Sequence, residues 1–206
     1  MTILPSQNST FDPTTATPDL LRDFLLNLFC QLAYQEGDFT LSSGKKSSYY
    51  INGKEVTLHP LGAVAIGRLI LPLLPTDTAA VAGLTLGADP IVSAVSVVST
   101  YEGQPIPALI VRKEAKGHGT GAYIEGMVLP AGAKVVVLED VVTTGGSAMK
   151  AVERLRAVGY EVEEVIALVD RQQGGEEFYK SVGLKFQAIF QIPELQARYA
   201  QLNVPN

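Results

Sequence analysis

Residues 135–147 read VVVLEDVVTTGGS. Val135 to Leu138 is an unbroken β-branched and aliphatic run without polar alternation, the pattern of a strand buried on both faces of a parallel sheet. The run stops at Glu139 and Asp140, so these acids are expected where the strand leaves the sheet. Open α/β sheets bind ligands in the crevice outside that edge. After Val141 and Val142 come Thr143, Thr144, Gly145, Gly146 and Ser147. They supply three hydroxyls and two positions that tolerate positive φ, so successive backbone N–H groups can turn around one anion. In AMKAVERLRAVG, residues 148–159, Ala148, Val152, Leu155 and Val158 share an apolar helical face and Gly159 supplies the stop. The loop would then lie at a helix N-terminus, a ready anion site.

A phosphate cradle needs no carboxylates beside it, because they would repel the phosphate. The acidic pair therefore points to hydroxyls. A ligand with a phosphate at one end and a vicinal diol a few bonds away fits, and ribose 5-phosphate is the commonest such group. The alternative is an ordinary strand, turn and helix with a solvated acidic pair.

The chain of 206 residues is long enough for one sizeable core and short for two. One domain is expected over residues 19–206, behind a loose tail at 1–18 that is rich in Ser, Thr and Pro. That tail has neither the basic start nor the apolar centre of a signal peptide. Hydrophobic residues make up 47% and the mean hydropathy is +0.19, as in well-packed soluble proteins. The longest apolar stretch, Leu58 to Pro75, is interrupted by Arg68, glycines and prolines, so it reads as a buried helix and no membrane partner is expected. A net charge of −5 without a long basic run argues against nucleic acid as a partner. The single cysteine, Cys30, excludes an internal disulfide and suits a reducing cytoplasm; its apolar helical surroundings make it buried filler. With two histidines, His59 and His118, no zinc-type cluster can be assembled, and no protein metal ligands are assigned.

Outward along the chain, the pattern from Asp19 to Tyr34 is helical, with Asp19 as a plausible cap. Residues 37–57 hold short β-type pieces around Ser43-Gly44 and Asn52-Gly53 turns, which suggests a small appended hood in which Lys45 and Lys46 could face an anion. Beyond Pro60 helical and short apolar segments alternate, the signature of βαβ units and an α/β fold with a central parallel sheet flanked by helices. Four strands are expected, at Ala79 to Leu84, Ala108 to Val111, Lys134 to Leu138 and Val165 to Val169. They run into Asp89, Arg112-Lys113, Glu139-Asp140 and Asp170-Arg171, and a parallel sheet brings such ends to one edge. Residues 112–126, RKEAKGHGTGAYIEG, carry Arg112, Lys113, Lys116 and His118 among glycines that prevent a stable helix, and so read as a mobile cationic loop.

These stretches resemble a known family. VVVLEDVVTTGGS is similar to the phosphoribosyl diphosphate motif of type I phosphoribosyltransferases. VRKEAKGHGTG (111–121) closely resembles the catalytic loop of the orotate-using branch, while FTLSSGKKSSYYIN (39–52) and LVDRQQGG (168–175) resemble its N-terminal hood and base-site loop. The four matches stand in the family's order.

The resemblance implies the type I phosphoribosyltransferase fold and transfer of ribose 5-phosphate from phosphoribosyl diphosphate to orotate, with Mg2+ as cofactor. It places Glu139 and Asp140 at the ribose hydroxyls and Thr143, Thr144, Gly145, Gly146 and Ser147 around the 5-phosphate, with Val141 and Val142 also among the residues that contact phosphoribosyl diphosphate. Arg112, Lys113, Lys116 and His118 fall on positions that contact the diphosphate, with Lys116, His118, Arg112 and Asp140 as the catalytic set. Thr143 and Arg171 fall on orotate-contacting positions, Arg171 against the carboxylate. A homodimer is implied, in which the 112–121 loop of one subunit covers the other's site. Two positions depart from the pattern: Ser42 and Asp89 lie where a lysine is frequent in the family. A purine phosphoribosyltransferase would share the central motif but not the loop and the Asp170-Arg171 pair. A non-catalytic regulator on the same fold is disfavoured by the acidic balance and the complete cationic set.

Overall fold

A computed structural model of the chain describes residues 11–40, 44, 46–115 and 123–204. Thr17, not Asp19, caps α1 (Pro18–Leu28). Its side chain accepts a hydrogen bond from Leu20 N at 3.4 Å, and Pro18 takes a first-turn position whose N–H would be unpaired anyway. Asp19 lies in that first turn, where its charge complements the helix dipole. The helical pattern expected to reach Tyr34 ends earlier: a π-helical turn spans Phe29–Ala33, and Tyr34 opens β1 (Tyr34–Thr40). β1 pairs antiparallel with β2 (Lys46–Ile51) in a two-stranded hood outside the main sheet. In that hairpin the Lys46 ammonium hydrogen-bonds across to Thr40 Oγ1 at 2.9 Å. Lys45 and Ser42 lie outside the described residues.

After the short α2 (Lys54–Thr57), α3 (Pro60–Ile70) buries Ala65, Ile66 and Ile70, as the reading of Leu58 to Pro75 required. The remaining strands are β3 (Ala80–Leu84), β4 (Ala108–Val111), β5 (Ile124–Glu125), β6 (Val135–Val142), β7 (Glu164–Asp170) and β8 (Lys185–Gln191). They form one sheet in the order β5-β4-β3-β6-β7-β8, parallel except where β5 meets β4. The helices are α4 (Asp89–Tyr101), α5 (Gly146–Ala157), α6 (Gly175–Ser181) and α7 (Ile192–Leu202). The fold is thus α/β around a mostly parallel sheet. Alternation along β6 divides the core: Val136 and Leu138 join the cluster built with α1, α3 and α4, while Val135 and Val137 join the cluster built with α5.

Strand order reverses direction between β3 and β6, since β4 lies to one side of β3 and β7 to the other side of β6. Such a switch point opens a crevice at the carboxyl ends of the two strands. A correction to the sequence reading sharpens it. β6 does not stop at Leu138 but runs on through Glu139 and Asp140 to Val142, because β7 keeps pairing with it as far as Val142↔Asp170. On the other side the pairing to β3 ends at Val137. The acids therefore stand on a strand that outruns one neighbour.

Three further differences have local causes. Val158 is exposed, and Ala151 takes its place on the buried face of α5 with Ala148, Val152 and Leu155. Residues 11–17, expected in the loose tail, are tied down: Phe11 stacks on Phe24 with centroids 4.3 Å apart, and the Arg68 guanidinium donates to the carbonyls of Pro13 and Ala16. The central sheet has two strands beyond the four expected, β5 and β8.

Candidate active site

The crevice at the switch point is built around Asp140. Its Oδ1 accepts a hydrogen bond from Val141 N at 2.8 Å. Two glycines make room for the carboxylate: a Cβ on Gly87, after β3, would lie 2.8 Å from Oδ1, and one on Gly53, after β2, 3.2 Å from Oδ2. Glu139 is 6% exposed, and its Oε2 is buried without a hydrogen-bond partner. Burial and the neighbouring Asp140 carboxylate push the Glu139 carboxyl well above the usual carboxylate range, against a smaller opposing pull from Lys113. A buried carboxylate oxygen left unpaired is costly. The site is therefore short of hydrogen-bond donors, which is what a pair of ligand hydroxyls would supply.

Beside the acids, a cavity of about 260 Å3 is lined by Glu139, Val141 and Val142, the loop 143–148, Lys150 and Tyr179. Gly145 caps α5 with φ of 86°, a left-handed conformation that residues with a Cβ rarely adopt. The turn exposes the first N–H groups of α5, where the helix dipole favours an anion. Tyr179, from α6, braces it from below by donating its hydroxyl to Gly145 O at 3.2 Å. Burial, with the Glu139 and Asp170 carboxylates nearby, raises the Tyr179 phenol far above its ordinary value and keeps it a donor.

At the other end of the crevice, the Arg171 N–H bonds Val142 O at 2.9 Å, which places the arginine next to the end of β6. Its guanidinium is nearly buried. It donates to Tyr49 Oη and Ser47 Oγ of the hood, each at 3.2 Å, and lies 4.6 Å over the Tyr49 ring. Asp170 does not pair with it but accepts from Gln172 N at 2.9 Å, setting a turn in which Gln172 has φ of 52°.

Glu139, Asp140, residues 141–147 and Arg171 are thus gathered at one sheet edge, and the charge of Lys113 is felt at Glu139. Arg112 is directed elsewhere: it pairs with Glu125 at 3.2 Å. Lys116 and His118 lie outside the described residues. Ser47, Tyr49, Tyr179 and Arg154 escape the sequence reading. Arg154 of α5 donates to the carbonyls of Arg112 and Lys113. KSSYYI runs from polar to aromatic residues without alternation, so only the fold shows that Ser47 and Tyr49 share the face of β2 turned toward Arg171. No local pattern marks Tyr179 or Arg154, whose partners are remote in sequence. Asp89 accepts from Thr85 Oγ1 at 2.8 Å, while its Oδ1 is buried without a partner.

A phosphoribosyl transferase domain matches residues 77–197. The orotate phosphoribosyltransferase of Nostoc sp. strain PCC 7120 is 76% identical over 190 residues, 92% of either chain. That of Synechocystis sp. strain PCC 6803 is 67% identical over 91% of this chain and 94% of the relative. Among solved structures, an orotate phosphoribosyltransferase from Mycobacterium tuberculosis, in complex with 5-phospho-α-D-ribosyl 1-diphosphate, superposes with a TM-score of 0.72 at 36% identity, covering 85% of this chain and 99% of that one. The matched domain includes the switch-point crevice, and the identity extends over nearly the whole chain, so this chain belongs to the orotate phosphoribosyltransferases, on the type I phosphoribosyltransferase fold.

Proposed function

We propose that the protein transfers the ribose 5-phosphate of phosphoribosyl diphosphate to orotate, giving orotidine 5-monophosphate and diphosphate in de novo pyrimidine biosynthesis. One observation carries the reading: a donor-poor pair of carboxylates, one with an unpartnered buried oxygen, stands beside an anion cradle at a helix N-terminus. A diol and a phosphate on one sugar satisfy both. Glu139 and Asp140 accept from the ribose hydroxyls, and the N–H groups and hydroxyls of Thr143, Thr144, Gly145, Gly146 and Ser147 hold the 5-phosphate. Arg171 and Thr143 orient orotate at the other end. One domain, residues 19–206, supplies all of these residues.

In the reaction the ribose C1–O bond to diphosphate breaks, a C1–N bond to the pyrimidine forms, and that nitrogen releases its proton. The sugar passes through an oxocarbenium-like state, which Asp140 beside the ribose stabilises, and the departing diphosphate needs positive charge more than the reaction needs a strong nucleophile. Arg112, Lys113 and Lys116 supply that charge, and His118 can donate a proton to the leaving oxygen. Arg112 must exchange its contact with Glu125 for the diphosphate. Among the described residues no cluster of three metal-binding side chains occurs. Glu139 and Asp140, as acceptors for the ribose hydroxyls, would fit a Mg2+ carried in with the substrate better than one held in a protein cage. When bound, the ion neutralises charge on the leaving group.

The assembly follows the same reading: a homodimer in which residues 112–121 of one subunit serve the other's site. Among the described residues no helix is long and apolar enough to cross a membrane. Cys30, the chain's single cysteine, is buried and free, which suits the reducing cytoplasm to which we assign the protein. Orotate consumption with and without magnesium tests the activity, with adenine and hypoxanthine as competing bases. Turnover of orotate alone, abolished by chelator, is expected; a folded sample inert toward orotate with magnesium present sinks the reading.

A further inference from the structure

The hydrogen bonds at Arg171 have a direction that can be worked out atom by atom. The Ser47 hydroxyl donates to Tyr49 O at 2.7 Å, so toward the 3.2 Å contact with Arg171 Nη2 its oxygen is an acceptor. Tyr49 Oη accepts from Arg171 Nε at 3.2 Å and lies 3.5 Å from Gln173 Nε2. The hood thus occupies Nε and one Nη2 position of the guanidinium. Nη1 makes no hydrogen bond, and Arg171 makes no ion pair, among the described residues. A guanidinium has five N–H donors in a fixed planar fork, so what remains is the end formed by Nη1 and Nη2. That end is a two-donor fork of the right shape for a carboxylate.

The hood's grip is itself rigid. Tyr49 is 8% exposed, and the guanidinium carbon of Arg171 lies 4.6 Å from the centroid of its ring. Tyr34 stacks against Tyr49 at 5.8 Å and meets Tyr199 of α7 edge-on at 5.0 Å, so an aromatic row ties the hood beside the arginine to α7. A planar cation held over a ring and bonded along one side has little freedom to rotate about its own stem.

We propose that Ser47 and Tyr49 are positioning residues that set base specificity, by occupying one side of the Arg171 guanidinium and leaving its end fork for the carboxylate of a pyrimidine substrate. The hood is then part of the selectivity filter and not only a cover. The proposal rests on the assignment of Arg171 to the substrate carboxylate, and the test separates the two.

The readout is the dissociation constant of orotidine 5-monophosphate against that of uridine 5-monophosphate. The two nucleotides differ only by the carboxylate and share the sugar phosphate, so binding stays measurable when the base contact is lost. Tyr49→Phe keeps the ring and removes the acceptor; Ser47→Ala removes the other acceptor with little change of volume. Combined, they are expected to lower the preference for the carboxylated nucleotide by about tenfold, each alone by about threefold, as fits loss of well-aligned bonds to a charged group. Affinity for uridine 5-monophosphate should stay unchanged, which a merely structural role does not predict. In an Arg171→Ala background, Tyr49→Phe and Ser47→Ala should have no further effect on the preference. If Arg171→Ala itself leaves the preference intact, the carboxylate assignment fails. If Arg171→Ala abolishes the preference while the hood variants keep it, or if the hood variants weaken both nucleotides equally, the positioning role is overturned and the assignment stands. Should Tyr49→Phe fold poorly, Ser47→Ala still carries the test.

Discussion

The Arg154 guanidinium lies 4.2 Å over the ring of Tyr123 and at the same time donates to the carbonyls of Arg112 and Lys113. Arg112 N in turn bonds Tyr123 O at 2.8 Å. One side chain of α5 therefore fastens both ends of the cationic loop to the helix that carries the proposed phosphate cradle. Removing it unties the loop's ends without deleting any side chain proposed to meet the substrate. Arg154→Ala is expected to raise the KM for phosphoribosyl diphosphate several-fold and to cost about 1–2 kcal/mol of stability, the scale of a cation–π contact with its hydrogen bonds. Arg154→Lys, which keeps the charge but cannot span two carbonyls and a ring, should recover only part of the loss. Equal KM values for wild type and Arg154→Ala would show that the loop's ends are set by something else.

Gly87 and Asp140 make a second prediction. An added Cβ at Gly87 would lie 2.8 Å from Asp140 Oδ1, closer than real Cβ contacts run, so the carboxylate must move. Gly87→Ala should therefore lower kcat/KM by about a hundredfold, the usual effect of misplacing a reacting group by about an ångström. The melting temperature should change little, because the clash is met at the crevice and not in either core. A variant with wild-type kcat/KM would mean that Asp140 has room to shift without consequence.

Much of this was legible in the sequence for an identifiable reason. The apolar run at Val135 to Leu138 and the glycine-hydroxyl loop at 143–147 are local signals, and local signals survive in a bare sequence. The length of β6 was not legible, because Glu139 and Asp140 look like a strand end. They are held in the strand by β7, a partner some thirty residues away. β8 was missed although KFQAIFQ alternates, since polar residues at an edge resemble a loop. The contacts of Arg154, Tyr179 and Ser47 join residues at least 30 apart in sequence, and no periodicity reports them. Arg171 was marked by its place at the end of an expected strand and given its role by family likeness, but the hood's hold on it shows only in the fold.

The raised Glu139 carboxyl gives a pH prediction with a definite sign. Between its ordinary value of 4.5 and its higher folded value, the folded ligand-free protein holds a proton that the unfolded chain has released. The native state then binds more protons, so stability falls as pH rises through that window and levels off above it. Burial, and then Asp140 beside it, drive the effect, and Lys113 opposes it. Glu139→Gln does not titrate and escapes the penalty. Its melting temperature minus that of wild type should grow as pH rises from about 4.5, the start of the window set by the ordinary carboxyl value, while its transferase activity falls. A difference independent of pH would show that Glu139 titrates normally in the folded state.

The proposed trans arrangement of the loop makes a prediction about mixtures. If Lys116 serves the partner's site while Arg171 serves its own, Lys116→Ala and Arg171→Ala homodimers are each defective at both sites. Unfolding the two together and refolding them at equal amounts should make about half of the closed pairs mixed. In each mixed pair one site combines an intact Arg171 with an intact Lys116 from the other subunit, and the second site carries both defects. About a quarter of wild-type activity should therefore return, by that pairing count. With the loop acting on its own chain, every site in every pair keeps one defect, and nothing returns. Subunit exchange is checked separately with a tagged copy, so that an inactive mixture with demonstrated exchange assigns the loop to its own subunit and rules out the trans arrangement.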